Sequence, residues 1–192
     1  TMDGGTGTDT LTSADATLNL SGMTITNFES ITAASTGTTF TGTSGNDTFT
    51  AGAGADKFIF ASTAAANGYD IINSFTAGTD KINLDAFSIP TSMVGLAANT
   101  VTITAGTVYY LFGQAAGVAD SSASVITAIN SAVITDTAAT GMLVISDDNS
   151  TAIYEWTGNG AGDEATGDTF TLMGTLNTAI SATGDVIVNN AT

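Results

Sequence analysis

Short runs in which apolar and polar side chains take turns recur along the chain. Thr17-Leu18-Asn19-Leu20, Met23-Thr24-Ile25-Thr26 and Lys57-Phe58-Ile59-Phe60 are examples, and a period of two is that of a strand with one buried face. Threonine recurs in them, and its β-branched side chain suits a pleated surface. As far as Pro90, the single proline, Gly, Asp and Asn punctuate the runs and helical periodicity is missing. Beyond Pro90 the pattern is mixed, so a boundary is expected there, with residues 1–90 forming one unit and 91–192 a second. In the second unit Val101–Thr104 and Val108–Phe112 predict a hairpin around Ala105-Gly106. Ser121–Val133 places Val125, Ile126, Ile129 and Val133 at helical spacing behind an Asp120/Ser121 N-cap. Met142–Ile145, Ala152–Trp156, Thr169–Met173 and Asp185–Val188 read as four more strands. An antiparallel, β-sandwich-like domain with one short helix, in a mainly all-β chain, is the expected architecture of this half.

Three of the punctuating segments share one form: GGTGTDTLT at Gly4–Thr12, GTSGNDTFT at Gly42–Thr50 and AGAGADKFI at Ala51–Ile59. Glycine tolerates φ > 0, so a six-residue turn can aim its carbonyl oxygens inward while the Asp adds a carboxylate to the same ring. The large apolar residue two positions later starts a short strand and points into the core. A ring of hard oxygen atoms suits Ca2+, which takes about six to eight of them in a flexible geometry.

The windows resemble the nonapeptide repeats of the RTX family, calcium-binding parallel β-rolls (β-helices) in proteins exported by type I secretion. Downstream, Gly68-Tyr69-Asp70-Ile71-Ile72-Asn73-Ser74-Phe75 and Gly78-Thr79-Asp80-Lys81-Ile82-Asn83-Leu84 resemble the capping segment of the serralysin C-terminal domain. The resemblance implies that residues 1–90 are an RTX-like calcium-binding β-roll with its cap. It implies calcium ligation by Asp9, Asp47 and Asp56, with carbonyls around Gly5, Gly7, Gly45, Gly52 and Gly54, and it puts Asp70 and Asp80 in capping positions. Asp47 and Asp56, nine residues apart, would each close a half-turn, on opposite sides of the roll and with different calcium partners. The segment between Asp9 and Asp47, ATLNLSGMTITNFESITAAS, carries no GxGxD, and the motif fades after Asp56, so about two to four ions are expected. That spacer is similar to those of RTX surface-layer proteins. Asp185–Val188 with its polar tail resembles an uncleaved type I export signal, and Thr1, three positions before Gly4, suggests the downstream part of something longer.

Composition narrows the function. The 192 residues hold 18 acids against two bases, Lys57 and Lys81, for a net charge of -16. Hydrophobic residues make up 43% and the mean hydropathy is +0.28, which argues for a packed chain over a disordered one. With neither Arg nor His the chain lacks the groups that grip nucleic acid. Without His and Cys it has no Ser-His-Asp or Cys-His constellation, no disulfide and no zinc site of the usual kinds. Nothing places the acid pairs Asp147/Glu155 or Asp163/Glu164 about a sugar ring, so no enzyme is expected. Asp3, Asp15, Asp85 and Asp136 read as Asx-turn residues without metal, and Asp147-Asp148-Asn149 with Asp163-Glu164 and Asp168 as solvated loop acids rather than another calcium loop. No apolar run reaches the roughly 18 residues of a transmembrane segment, and no basic n-region opens the chain. Thr24/Thr26, Thr48/Thr50 and Thr102/Thr104 suggest an ice-binding threonine array, but they do not keep one repeat length. Two function classes remain. One is a secreted, calcium-dependent structural protein of the bacterial cell surface, a homo-oligomer in an S-layer lattice or extracellular fibre, with the type I secretion machinery and a cell-surface polysaccharide as partners. The other is the C-terminal secretion and calcium-folding module of a larger hydrolase, toxin or adhesin.

Overall fold

A computed structural model describes residues 1–33, 36–84, 94–96, 101–102, 106–119, 121–129, 134–135, 139–160 and 167–188. In chain order its elements are β1 (Met2–Asp3), β2 (Thr10–Thr12), β3 (Thr17–Asn19), β4 (Ile25–Thr26), β5 (Ser30–Thr32), β6 (Thr39–Thr41), β7 (Thr48–Thr50), β8 (Lys57–Ile59), the single turn α1 (Ala64–Asn67), β9 (Asp70–Asn73) and β10 (Lys81–Asn83). There follow β11 (Val94–Gly95), β12 (Val101–Thr102), β13 (Val108–Leu111), α2 (Ser122–Ile129), β14 (Ile134–Thr135), β15 (Thr140–Ser146), β16 (Thr151–Thr157), β17 (Thr169–Leu176) and β18 (Val186–Ile187).

Apart from β1 and β4, which pair with each other, the strands of the first half wind in parallel pairs between two sheets. One is five-stranded in the order β18-β10-β8-β6-β3, and the other is nine-stranded in the order β11-β13-β15-β16-β17-β9-β7-β5-β2. Several short strands place one buried apolar residue between two less buried ones, as in Thr39-Phe40-Thr41, Thr48-Phe49-Thr50 and Lys57-Phe58-Ile59. Those inward side chains fill the space between the sheets. Phe40 and Phe58 stack at 5.1 Å and 7°, Phe49 leans on both, and Leu20, Ile31, Ile72, Ile82 and Leu84 complete the core. One large side chain per half-coil is what a two-layer roll can accommodate at interior packing density.

The mainly-β class, the parallel roll and the short helix of the second half are all present. The manner of attachment differs from a self-contained sandwich. Among the described residues, β13 and β15–β17 extend the nine-stranded sheet of the roll, with β17 parallel to β9 through Gly174↔Asp70, Thr175↔Ile71 and Leu176↔Ile72. Strand β18 joins the other sheet beside β10. The expected boundary at Pro90 lies outside the described residues. Strands β15, β16 and β17 are antiparallel and bury both faces. Met142, Val144, Ile153 and Met173 pack on the roll's core, while Leu143, Ile145, Tyr154 and Trp156 pack on Val125 and Ile129 of α2. The near-continuous apolar run of β15 follows from this double burial. Helix α2 starts behind Ser121, whose Oγ accepts the Ser124 N–H at 3.2 Å; Asp120 and residues 130–133 lie outside the described residues.

Among the described residues, Val101-Thr102 and Val108–Leu111 do not pair as the expected hairpin, and residues 103–105 lie outside the described ones. Val101-Thr102 pairs in parallel with Ile134-Thr135, and β13 lies between β11 and β15, parallel to both. Its inward residues Val108 and Tyr109 are buried on opposite faces of the large sheet, an environment that a two-stranded hairpin could not supply. The Thr-x-Thr steps at Thr24/Thr26 and Thr48/Thr50 and the described Thr102 lie in three separate sheets, so they make no common array.

The junction of the two halves is tight at Gly174, where a Cβ would lie 2.7 Å from Phe60 Cε1 and 3.1 Å from the Asp70 carbonyl oxygen. Gly174→Ala should therefore lower stability by about 1–3 kcal/mol through overpacking; a urea midpoint equal to that of the unmodified protein would contradict this packing.

Candidate calcium turns

The acids of the glycine turns are held by main-chain N–H groups. In the turn before β8, Asp56 accepts the Gly52 N–H at 2.9 Å on one oxygen and the Thr38 N–H, from the previous coil, at 2.6 Å on the other. Before β10 the arrangement repeats: Asp80 accepts from Thr76 N at 2.7 Å and from Asp56 N at 2.9 Å. On the other side of the roll, Asp70 accepts from Asp47 N at 3.1 Å and from Asn67 Nδ2 at 3.0 Å. Asp47 closes its own turn through Thr43 N at 2.7 Å and Thr43 Oγ1 at 2.9 Å. Asp47 and Asp56 thus lie on opposite sides of the roll with different partners. The carboxylates are buried, with 7% exposure at Asp47, 1% at Asp56, 4% at Asp70 and 0% at Asp80.

Asp9 departs from this pattern. Its N–H donates to Glu29 Oε2 at 2.7 Å, yet its own Oδ2 is buried and has no hydrogen-bond partner, the one such side-chain atom among the described residues. The Gly5 N–H that could have closed the turn goes instead to Asp3 Oδ1 at 3.1 Å, which also accepts from Asn27 Nδ2. Gly5 and Gly7 hold φ of 93° and 135°, so the GGTGTD backbone adopts the left-handed geometry that only glycine takes without strain. Gly54 does the same at φ 104° and stacks so closely that a Cβ would lie 2.6 Å from the Gly37 nitrogen. Gly45 and Gly52 have no positive φ.

Among the described residues no three or more acidic side chains converge as metal ligands. A cation here would take most of its oxygens from main-chain carbonyls, the donor set that a glycine turn supplies and that calcium accepts. The unpartnered Asp9 Oδ2 supplies an anionic oxygen within that turn, so the residues present fit a calcium ion there. A cleft of about 650 Å³ opens between successive turns on one side of the roll, lined by Gly22, Thr24, Gly42, Thr43, Ser44 and Asn67 among others.

Burial governs the charge of two turn acids. It pushes Asp70 up to about 8, against the Asp47 N–H and with help from the Asp47 charge. Asp56 is also raised, first by burial, with the Asp80 charge adding to it. In the second acidic cluster, Asp147 and Asp168 are tied into the fold by hydrogen bonds. Asp147 is not a solvated loop acid but a buried one, accepting from Gly117 N, Asn149 N, Ser150 N and Ser150 Oγ. Burial opposes its ionisation, yet these bonds outweigh it and lower its pKa. Asp168 accepts from Trp156 Nε1 at 2.7 Å and Asn159 N at 2.9 Å. Asp148 is exposed, while Asp85, Asp136, Asp163 and Glu164 lie outside the described residues. Two acids of the roll escape a motif search: Glu29, which takes the place of an Asp, and Asp185, which accepts from Gly78 N.

Stacked coils with acid-bearing glycine turns define a parallel β-roll of the calcium-binding kind. The family model for the peptidase M10 serralysin C-terminal domain matches residues 4–141, and the chain belongs to that family. This is the RTX-type, non-catalytic part of extracellular proteins exported by type I secretion, and domains of this kind bind calcium. No curated protein and no solved structure matches the chain.

Asp70 generates a pH dependence. Unfolded, it ionises near the ordinary carboxylate value of about 3.9, whereas in the fold it keeps its proton to about 8. The folded state therefore binds the extra proton between about pH 4 and 8, and stability falls as pH rises through that window. In calcium-free buffer Asp70→Asn should flatten this slope in urea unfolding; an unchanged slope would rule out Asp70 as its source.

Proposed function

We propose that the chain is the calcium-folded part of a secreted structural protein of the bacterial cell surface, which assembles into an S-layer or extracellular fibre. The observation that carries the calcium reading is the unpartnered, buried Asp9 Oδ2 in a glycine turn with two left-handed glycines. Calcium at Asp9 with the carbonyls of Gly5 and Gly7, and at Asp47, Asp56, Asp70 and Asp80 with those of Gly45, Gly52 and Gly54, supplies positive charge to a roll whose net charge is -16. In the low-calcium cytosol the acids repel and the chain stays open to export; outside, calcium binds the folded state alone. At free calcium about 100-fold above Kd each independent site adds about 2.7 kcal/mol, and extracellular sites of this kind have Kd of about 10⁻⁴ to 10⁻³ M. The surface-layer reading draws on composition: outward Thr, Ser and Asn with almost no Lys, and the spacer between Asp9 and Asp47. Family membership favours a second reading, a secretion and calcium-folding module of a larger hydrolase.

Excess EGTA should loosen the coils before Pro90, and millimolar calcium should restore them, with Asp9→Asn raising the calcium needed. Circular dichroism that ignores both chelator and calcium would end the calcium reading. Electron microscopy at millimolar calcium separates the two classes: ordered sheets or fibres are expected, and dispersed particles alone would leave the secretion module.

A further inference from the structure

Strand β18 continues the five-stranded sheet from a distance. Ile82↔Val186 and Asn83↔Ile187 are in parallel register, the Leu84 N–H donates to the Ile187 carbonyl at 2.9 Å, and Val186 enters the roll's core. Ahead of it, Asp185 is 3% exposed; the register of β18 sets it beside Lys81, one position nearer its strand than Asp56 and Asp80 are to theirs, and it accepts the Gly78 N–H at 2.8 Å. What differs is the remaining partner. Asp56 and Asp80 each accept an N–H from four residues earlier in their own turn, Gly52 and Thr76. Asp185 instead accepts from the Lys81 ammonium at 3.0 Å, across 104 residues of chain, in the one ion pair among the described residues.

We infer that Thr183–Val188 is a clasp on the roll whose buried acid is neutralised by a cation of the protein's own, the Lys81 ammonium, so that this coil closes without divalent metal. Lys81 does here what calcium does at the glycine turns, and in that contrast the inference rests on the calcium reading. A fixed ammonium at hydrogen-bond distance from a carboxylate with 5% side-chain exposure is a charge-assisted bond largely shielded from water. Its loss would leave an uncompensated buried anion.

The test is amide hydrogen exchange on the full chain. Leu84 reports the clasp through its bond to Ile187, and Ile71, bonded to the Asp47 carbonyl, reports the glycine turns. In EGTA the unmodified protein should keep Leu84 protected while Ile71 speeds up. Lys81→Met should accelerate Leu84 about tenfold, the loss expected for a hydrogen bond to a charged group, with calcium present or absent, and Lys81→Arg should restore protection. Should Lys81→Met fail to fold, raising KCl from about 0.01 to 1 M on the unmodified protein weakens the partly exposed ammonium's pairing and should speed Leu84. Loss of Leu84 protection on chelation alone, or Leu84 exchange indifferent to both Lys81→Met and salt, overturns the clasp. If no amide responds to EGTA the calcium reading has failed, and the response of Leu84 to Lys81→Met still decides the clasp.

Discussion

The roll depends on one repeated bond: a carboxylate of one coil accepting a peptide N–H of the coil before it. Thr38 to Asp56, Asp56 to Asp80, Asp47 to Asp70 and Asp9 to Glu29 are four instances. Each turn breaks the strand ladder and exposes N–H groups that must find acceptors. Where the accepting acid is ionised, such a bond contributes about 1.5–3 kcal/mol, more than a neutral turn bond could. Because the link is made at the turn, coil length is free to vary. The linked residues are 18, 20, 23 and 24 positions apart, yet the inward Phe and Ile side chains remain in register. Phe40, Phe49 and Phe58 can stack only because the turns absorb the irregularity.

The same bond creates an electrostatic problem. Carboxylates drawn inside to meet N–H groups approach one another, and N–H dipoles offset only part of the cost of burying charge. Asp70 shows the limit, since two hydrogen-bond partners leave it protonated to about 8. Three remedies are open to such an acid: a proton, a bound cation or a fixed ammonium. Asp70 takes the first, domains of this family take the second from calcium, and Asp185 has the third in Lys81. With only two lysines against 18 acids, the third remedy is scarce. The charge balance of the roll is thereby handed to the surrounding solution.

Features that repeat locally were legible in the sequence. The x-apolar-x strands, the opposite placement of Asp47 and Asp56, the helix around Val125 and Ile129, and strands at Met142, Ala152, Thr169 and Asp185 all follow from short-range spacing. Pairing did not. Val101-Thr102 looked ready for a hairpin with Val108–Phe112, but a strand's partner is decided by which faces must be buried across the whole sheet, and β13 needs a neighbour on each side. Asp147 and Asp168 read as loop acids because nothing in their neighbours foretells that Gly117 or Trp156 will arrive with a donor. Glu29 and Asp185 were missed for a related reason: one has a side chain a methylene longer than the motif's Asp, and the other stands alone, its partner coil more than a hundred positions upstream.

That remoteness has a kinetic side. Coils β5 to β8 close on their sequence neighbours, whereas β17 must reach β9 and β18 must reach β10 across the intervening second half. Loop closure over such distances is unfavourable until the contact is made, and long-range parallel pairing is slow. A roll whose sheets are completed by strands from far downstream therefore closes slowly. The antiparallel β15–β17 unit, by contrast, pairs with its own sequence neighbours and packs on α2, and such local contacts carry a smaller closure cost.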